Sequence, residues 1–186
     1  AITAVRSGVA VAVMAAFMGF PRPPYSRAQL WGALAYALTL IFFVCATRMT
    51  TAANAIFLQY TAPIYILVLV PFILKEKFRP ADLLTVVLCL GGMSLFFLES
   101  HSGETPLPPY IFLGNIAGLA SGFFFGLYFI ILRHPRSLSN KNPAVSVFYG
   151  NILIVLFMIP IVSSNLPSQI NSNDVFAILF LGIFQI

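Results

Sequence analysis

The sequence predicts an all-α fold, a polytopic bundle of transmembrane helices. Three observations lead there. The 186-residue chain is 60% hydrophobic and only 8% charged, with a mean hydropathy of +0.96, and so few charges do not cover a soluble domain of that size. Its apolar residues come in runs of roughly 20, the length a helix needs to cross a hydrocarbon core. Short clusters rich in Pro and polar residues separate most of these runs.

The first run, Ile2–Phe20, holds one charge, Arg6, placed to snorkel toward the nearer membrane surface. A cleavable leader would carry a more basic start and a small-residue cleavage site. The following "FMGFPRPP" offers no such site, so the run reads as a span. The second span, Ala28–Arg48, has Gly32, Tyr36, Thr39, Phe43 and Thr47 on one face. The connection "ATRMTTAA" is so short that the next span, Thr51–Leu74, is expected to lie antiparallel beside it. That third span has the densest polar pattern: Thr51, Asn54, Leu58, Thr61 and Tyr65 fall within about 80° of arc at 100° per residue. Such a face either lines a cavity or holds helices together. Pro63, near mid-span, removes a backbone donor and frees the carbonyl of Gln59, which predicts a bend or hinge.

After "KEKFRP" comes a fourth span, Ala81–Leu98, and after "ESHSGETPLPP" a fifth, Tyr110–Arg133. In the fifth, Gly114, Gly118, Gly122 and Gly126 recur every fourth residue. This spacing drifts by about 40° per step on a 3.6-residue helix, so the glycines trace a shallow ridge without side chains. A ridge of that kind lets another backbone approach closely; it also gives a surface on which helices slide, or room for a ligand. Asn115 and Ser121 are polar positions of the same span. The sixth span, Ala144–Val162, contributes Tyr149 and Asn151, and a seventh run starts near Asp174 and reaches Ile186 before it is long enough to cross. A chain that opens inside one run and closes inside another is expected to lack helices at both ends.

Charge gives an orientation. Eight of the ten Lys and Arg lie in alternate connections: Arg22 and Arg27, then Lys75, Lys77 and Arg79, then Arg133, Arg136 and Lys141. Cytoplasmic loops hold the positive excess, so the "KEKFRP" side is expected in the cytoplasm of a multi-pass protein of the cytoplasmic membrane. The net charge of +5 is therefore a topology signal and points to no nucleic acid. Cys45 and Cys89 sit in apolar runs, and His101 and His134 have no partner at ligand spacing, so no metal and no cofactor are expected. No Asp or Glu lies deep in a complete span, and no nucleophile, Walker or paired-carboxylate motif is present. An enzyme is not expected.

The stretch "TTAANAIFLQYTAPIYILVLVPFILKEKFRPADLLTVVLCLGGMSLFF" resembles the EamA family of the drug/metabolite transporter superfamily. That family's pattern has a YTAP-like segment, a long apolar helix, a Gly-Glu-basic turn and a Gly-containing helix. Glu76 matches the turn, while Lys75 stands where glycine is usual. "GNIAGLASGFFFGLYFIILRH" resembles the helix that opens the family's second repeat, and "AVRSG" resembles the second helix of the first. The resemblance implies ten helices in two inverted five-helix repeats. Residues 1–98 would then hold helices two to five of the first repeat. Residues 110–186 would hold helix six to a partial helix eight, leaving the first, ninth and tenth outside this chain. It further implies a secondary transporter, an exporter of a small metabolite, amino acid or drug-like compound, working by alternating access. The partners implied are that substrate and the lipid bilayer. Joined to the polar faces, it puts Tyr36, Thr39, Phe43, Asn54, Thr61, Tyr65, Asn115 and Ser121 on the substrate path. A passive channel would use the same faces, and an intramembrane enzyme would need a catalytic pair that this stretch does not hold.

Overall fold

The computed structural model describes residues 2–20, 27–77, 79–98, 110–134 and 144–164. They form seven helices: α1 (Ile2–Met18), α2 (Arg27–Met49), α3 (Ala52–Gln59), α4 (Ala62–Ile73), α5 (Pro80–Leu98), α6 (Ile111–Arg133) and α7 (Ala144–Ser164), with no strand among the described residues. Among the described residues, three stretches are long and apolar enough to cross a membrane: Arg27–Met49, Ala52–Ile73 taken across α3 and α4, and Ile111–Arg133. The run expected from near Asp174 lies outside the described residues.

Packing divides the chain into two units, one of residues Ala1–Ala37 with Pro135–Ile186 and the other of Leu38–His134. In the first unit, α1 lies along α7. Ser7, Ala10 and Met14 of α1 are buried at a three-to-four-residue spacing, which puts them on one side of the helix. The N-terminal part of α2 meets α7 at Gly150. A Cβ there would stand 2.6 Å from the Tyr36 ring and 3.0 Å from the carbonyl oxygen of Ala33. Glycine is what lets these two helices cross so closely. The Ser146 hydroxyl of α7 donates to the carbonyl of Gln29 at 3.3 Å.

The second unit is built around α6. Its buried residues include Gly114, Ala117, Gly118, Ser121, Gly122 and Gly126, all on the side that meets α3, α4 and the C-terminal part of α2. Ala46, Ala55 and Ala117 form a small-residue core with Phe42 and Phe43 packed against it. The helix α5 touches α4 lightly. Leu84, Val87, Leu88 and Leu95 of α5 are exposed, and its Gly91 and Gly92 have open space beside them. An apolar helix with exposed apolar faces is at home in a hydrocarbon solvent.

One expectation needs correction. The span Thr51–Leu74 is not a single continuous helix but two, with a break at Tyr60–Thr61. Tyr60 still bonds back four residues, to Ile56 at 3.0 Å, whereas Thr61 reaches only three, to Leu58 at 3.3 Å, and Ile64 likewise bonds Thr61 at 2.9 Å. Pro63 occupies the first turn of α4, where its missing N–H costs least. The break is thus a tight local turn, with Thr61 in helical backbone geometry. At the far end of α4, Lys75 adopts φ +56° just beyond the C-cap Leu74. This left-handed position ends the helix and is the one glycine fills most cheaply.

Candidate functional site

The break between α3 and α4 lies against α6, and polar groups collect there. Pro63 cannot donate to the Gln59 carbonyl, and the Thr61 hydroxyl donates to the Leu58 carbonyl at 2.6 Å. Gly122 of α6 is seated on this turn. A Cβ at 122 would stand 2.8 Å from the Leu58 oxygen, 2.8 Å from the Thr61 Oγ1 and 3.0 Å from the Gln59 oxygen. Beside it, the Gln59 side chain donates to the Ser121 hydroxyl at 3.2 Å, and Ser121 donates onward to the Thr39 carbonyl at 3.0 Å. Ser121 is fully buried and Thr39 nearly so. One hydroxyl therefore ties α2, α3 and α6 together inside an apolar span, where each polar group needs a partner.

A second chain of polar contacts lies one helix turn or more toward the α2–α3 connection. The Asn54 amide donates to the Thr50 hydroxyl at 3.3 Å, and Thr50 donates to the Asn115 Oδ1 at 3.0 Å. Thr51 caps α3 by accepting from the Asn54 N–H at 3.2 Å. Gly114 makes the approach possible, since a Cβ there would lie 2.7 Å from the backbone of both Met49 and Thr50. Toward the other end, the Tyr65 ring meets Phe123 edge to face at 5.5 Å, and Phe42 stacks on Phe124 at 5.6 Å.

Of the eight residues expected on a substrate path, Thr39, Phe43, Asn54, Thr61, Tyr65, Asn115 and Ser121 belong to this unit. Thr39 and Ser121 are joined directly, and Asn54 and Asn115 are joined through Thr50. Thr61 bonds its own helix. Tyr36 belongs to the other unit, where it bonds the Asn151 side chain with Arg6 as a charged neighbour. The Gln59 side chain, which donates to Ser121, and Thr50, which links Asn54 to Asn115, are not among those eight. A glutamine inside an apolar run is the signal that marks the first of them.

Because Gly114 meets Met49–Thr50 and Gly126 meets Ala62 and Tyr65, α6 runs in the same direction as α3 and α4. Its C-terminal end therefore reaches the turn after α4, where Arg133 pairs with Glu76 at 2.9 Å. A cavity of about 370 Å³ opens at this end, with Pro63 and the aliphatic residues of α4 along it and Glu76, Lys77, Arg79, Asp82 and Arg133 around its mouth. Thr61 and Tyr65 do not line it. A second cavity of about 480 Å³ lies between α3 and α5 and is apolar. Among the described residues, no three His, Cys, Asp or Glu side chains come together as a metal site.

The chain is similar to proteins known only as transporters. It is 30% identical to an uncharacterized transporter of Helicobacter pylori over 149 residues, 77% of this chain and 47% of that protein. It is 24% identical to an uncharacterized transporter of Clostridium kluyveri over 162 residues, 83% of this chain and 50% of that protein. It thus spans about half the length of the curated relatives it matches. No solved structure matches it. The EamA-like transporter family matches residues 1–98. With its apolar helices and the polar contacts that join them, the chain belongs to the EamA-like transporter family.

Proposed function

We propose that the whole protein is a secondary transporter that exports a small metabolite, amino acid or drug-like compound across the cytoplasmic membrane by alternating access. It would hold ten helices in two inverted five-helix repeats. Residues 1–98 would be helices two to five of the first repeat, and residues 110–186 the start of the second. The turn after α4 faces the cytoplasm in this reading.

The observation that carries the reading is the break at Tyr60–Thr61. A discontinuous helix near mid-span, with the Gln59 carbonyl released beside a glycine of the neighbouring helix, is the kind of element on which transporters build midplane sites. Pro63 is the hinge of that element. Thr61, Tyr65 and Asn54 face the substrate when the turn opens, together with Thr39, Phe43, Asn115 and Ser121 of the same unit.

The test is uptake by proteoliposomes holding the full-length protein. A transporter gives saturable flux that rises when substrate is loaded on the opposite side; single-channel currents without such stimulation would replace this reading with a channel. Thr61→Val keeps the shape and removes one hydroxyl, and should weaken apparent affinity by about tenfold, equivalent to ~1.4 kcal/mol. Kinetics equal to the parent for both Thr61→Val and Tyr65→Phe would take these residues out of the site.

A further inference from the structure

The cavity at the end of α4 has an uneven lining. Toward the interior its walls are Ile66, Val70 and Val86; at its mouth stand Lys77, Arg79 and Asp82. The Glu76 carboxylate is taken up by Arg133 at 2.9 Å. Lys77 and Arg79 make no ion pair among the described residues, so the mouth keeps a net positive charge. Apolar walls beneath a cationic rim match one occupant of a membrane: an anionic phospholipid, with chain and headgroup in the same order.

We infer that this α4–α5 groove holds one anionic phospholipid of the adjoining leaflet. Its phosphate lies against Lys77 and Arg79, and an acyl chain follows Ile66, Val70 and Val86. Basic pockets between membrane helices bind anionic headgroups for this reason. The groove also suits the loose packing of α5. Of the α5 residues along the groove, Asp82 and Thr85 are exposed and Val86 is half-buried, so a chain entering from the side displaces no buried side chain of that helix. The inference is independent of substrate and of transport direction; it needs only that this end of the bundle sits at headgroup depth.

Native mass spectrometry of the delipidated full-length protein tests it, with added phosphatidylglycerol or phosphatidylcholine of the same acyl chains. The parent should retain one phosphatidylglycerol in about tenfold preference to phosphatidylcholine, and Lys77→Gln with Arg79→Gln should abolish that preference. Arg48→Gln, at the opposite end of the span, should leave it unchanged. Val70→Trp fills the groove and should reduce retention of both lipids while the Lys77 and Arg79 side chains remain. Equal retention of the two lipids by the parent would overturn the proposal, as would full preference in the double variant. Displacement of the lipid by millimolar glycerol phosphate would also overturn it, because the site would then be one for a soluble anion.

Discussion

Adding one methyl group at Gly114 is expected to destabilise the protein by about 2–3 kcal/mol, and the geometry gives the size. The new Cβ would sit 2.7 Å from the Met49 carbonyl carbon and 2.7 Å from the Thr50 nitrogen, with the Met49 Cβ at 2.9 Å. All three atoms are fixed by the backbone, so no rotamer change relieves the clash. Ordinary carbon contacts begin near 3.5 Å, so α6 would have to retreat by about 0.8 Å. A gap of that order costs each contact a quarter to a half of its well. Over on the order of 50 atom pairs at about 0.15 kcal/mol each, the loss is ~2–4 kcal/mol, and measured overpacking costs of about 1–3 kcal/mol favour its lower part. The retreat would also stretch the Thr50–Asn115 bond beside it. Gly91→Ala is the matched control: nothing lies within 4 Å of that position, so the change should be neutral or slightly stabilising. Gly126→Ala, where the tightest contact is 3.0 Å to the Ala62 oxygen, should fall between. Purified full-length variants would be compared by SDS-titrated and thermal unfolding, followed by far-UV circular dichroism. If Gly114→Ala and Gly91→Ala unfold within about 0.5 kcal/mol of each other, the close approach of α6 to the α2–α3 connection is not what holds this unit together.

Three further outcomes are expected. Lys75→Gly should stabilise the protein by about 0.5–1 kcal/mol, because relief of a left-handed L-residue worth about 1–2 kcal/mol exceeds the added chain entropy of glycine; a Gly variant less stable than Lys75→Ala would contradict the cap geometry. Ser121→Ala should cost about 1–2 kcal/mol by leaving the Gln59 amide unpaired, and adding Gln59→Leu should recover part of that loss in a double-mutant cycle. Additive effects would mean the two side chains are not coupled. In a Cys45→Ala, Cys89→Ala background, an impermeant maleimide applied to intact cells should label Ser102→Cys and miss Lys77→Cys; the reverse pattern would invert the proposed orientation.

The spans were legible because their length and composition are dictated by the bilayer. Tyr110–Arg133 and Ile111–Arg133 differ by one residue, and Ala28–Arg48 sits inside Arg27–Met49. The break at Tyr60–Thr61 was not legible as a break. Pro63 marks the loss of one hydrogen bond, but whether the chain kinks through it or restarts behind it depends on what receives the freed carbonyls, and Gly122 comes from a distant helix. Partners were harder still to read. In water, an apolar stripe identifies the buried face of a helix; in lipid, Leu119 and Phe123 are apolar and exposed on the same helix that buries Ala117 and Ile130. The periodicity then carries no direction, and the polar residues show that partners are needed without naming them. Gly150 went unremarked for the same reason, being a lone glycine with no repeat to set it apart.

One side of each close crossing is made of residues with almost no side chain to immobilise. In one unit Ala117 packs with Ala46 and Ala55, Gly114 faces the Met49–Thr50 backbone, Gly118 the Leu58 side chain and Gly122 the Leu58 and Gln59 carbonyls; in the other, Gly150 faces the Tyr36 ring and the Ala33 carbonyl. Ordering a long side chain costs up to about 2 kcal/mol of rotamer entropy, whereas Gly and Ala cost none. On the glycine side, docking therefore restricts little beyond the backbone already fixed by helix formation, and the ordering cost falls on the facing side chains such as Leu58 and Tyr36. A shift of α6 by one turn on α3–α4 would break the hydrogen bonds of Ser121 and Asn115 and re-seat Leu58 on another glycine of the ridge. The barrier between such registers is set by those bonds together with the few side chains that must be withdrawn, Leu58 from its seat on Gly118 and Tyr65 from Phe123.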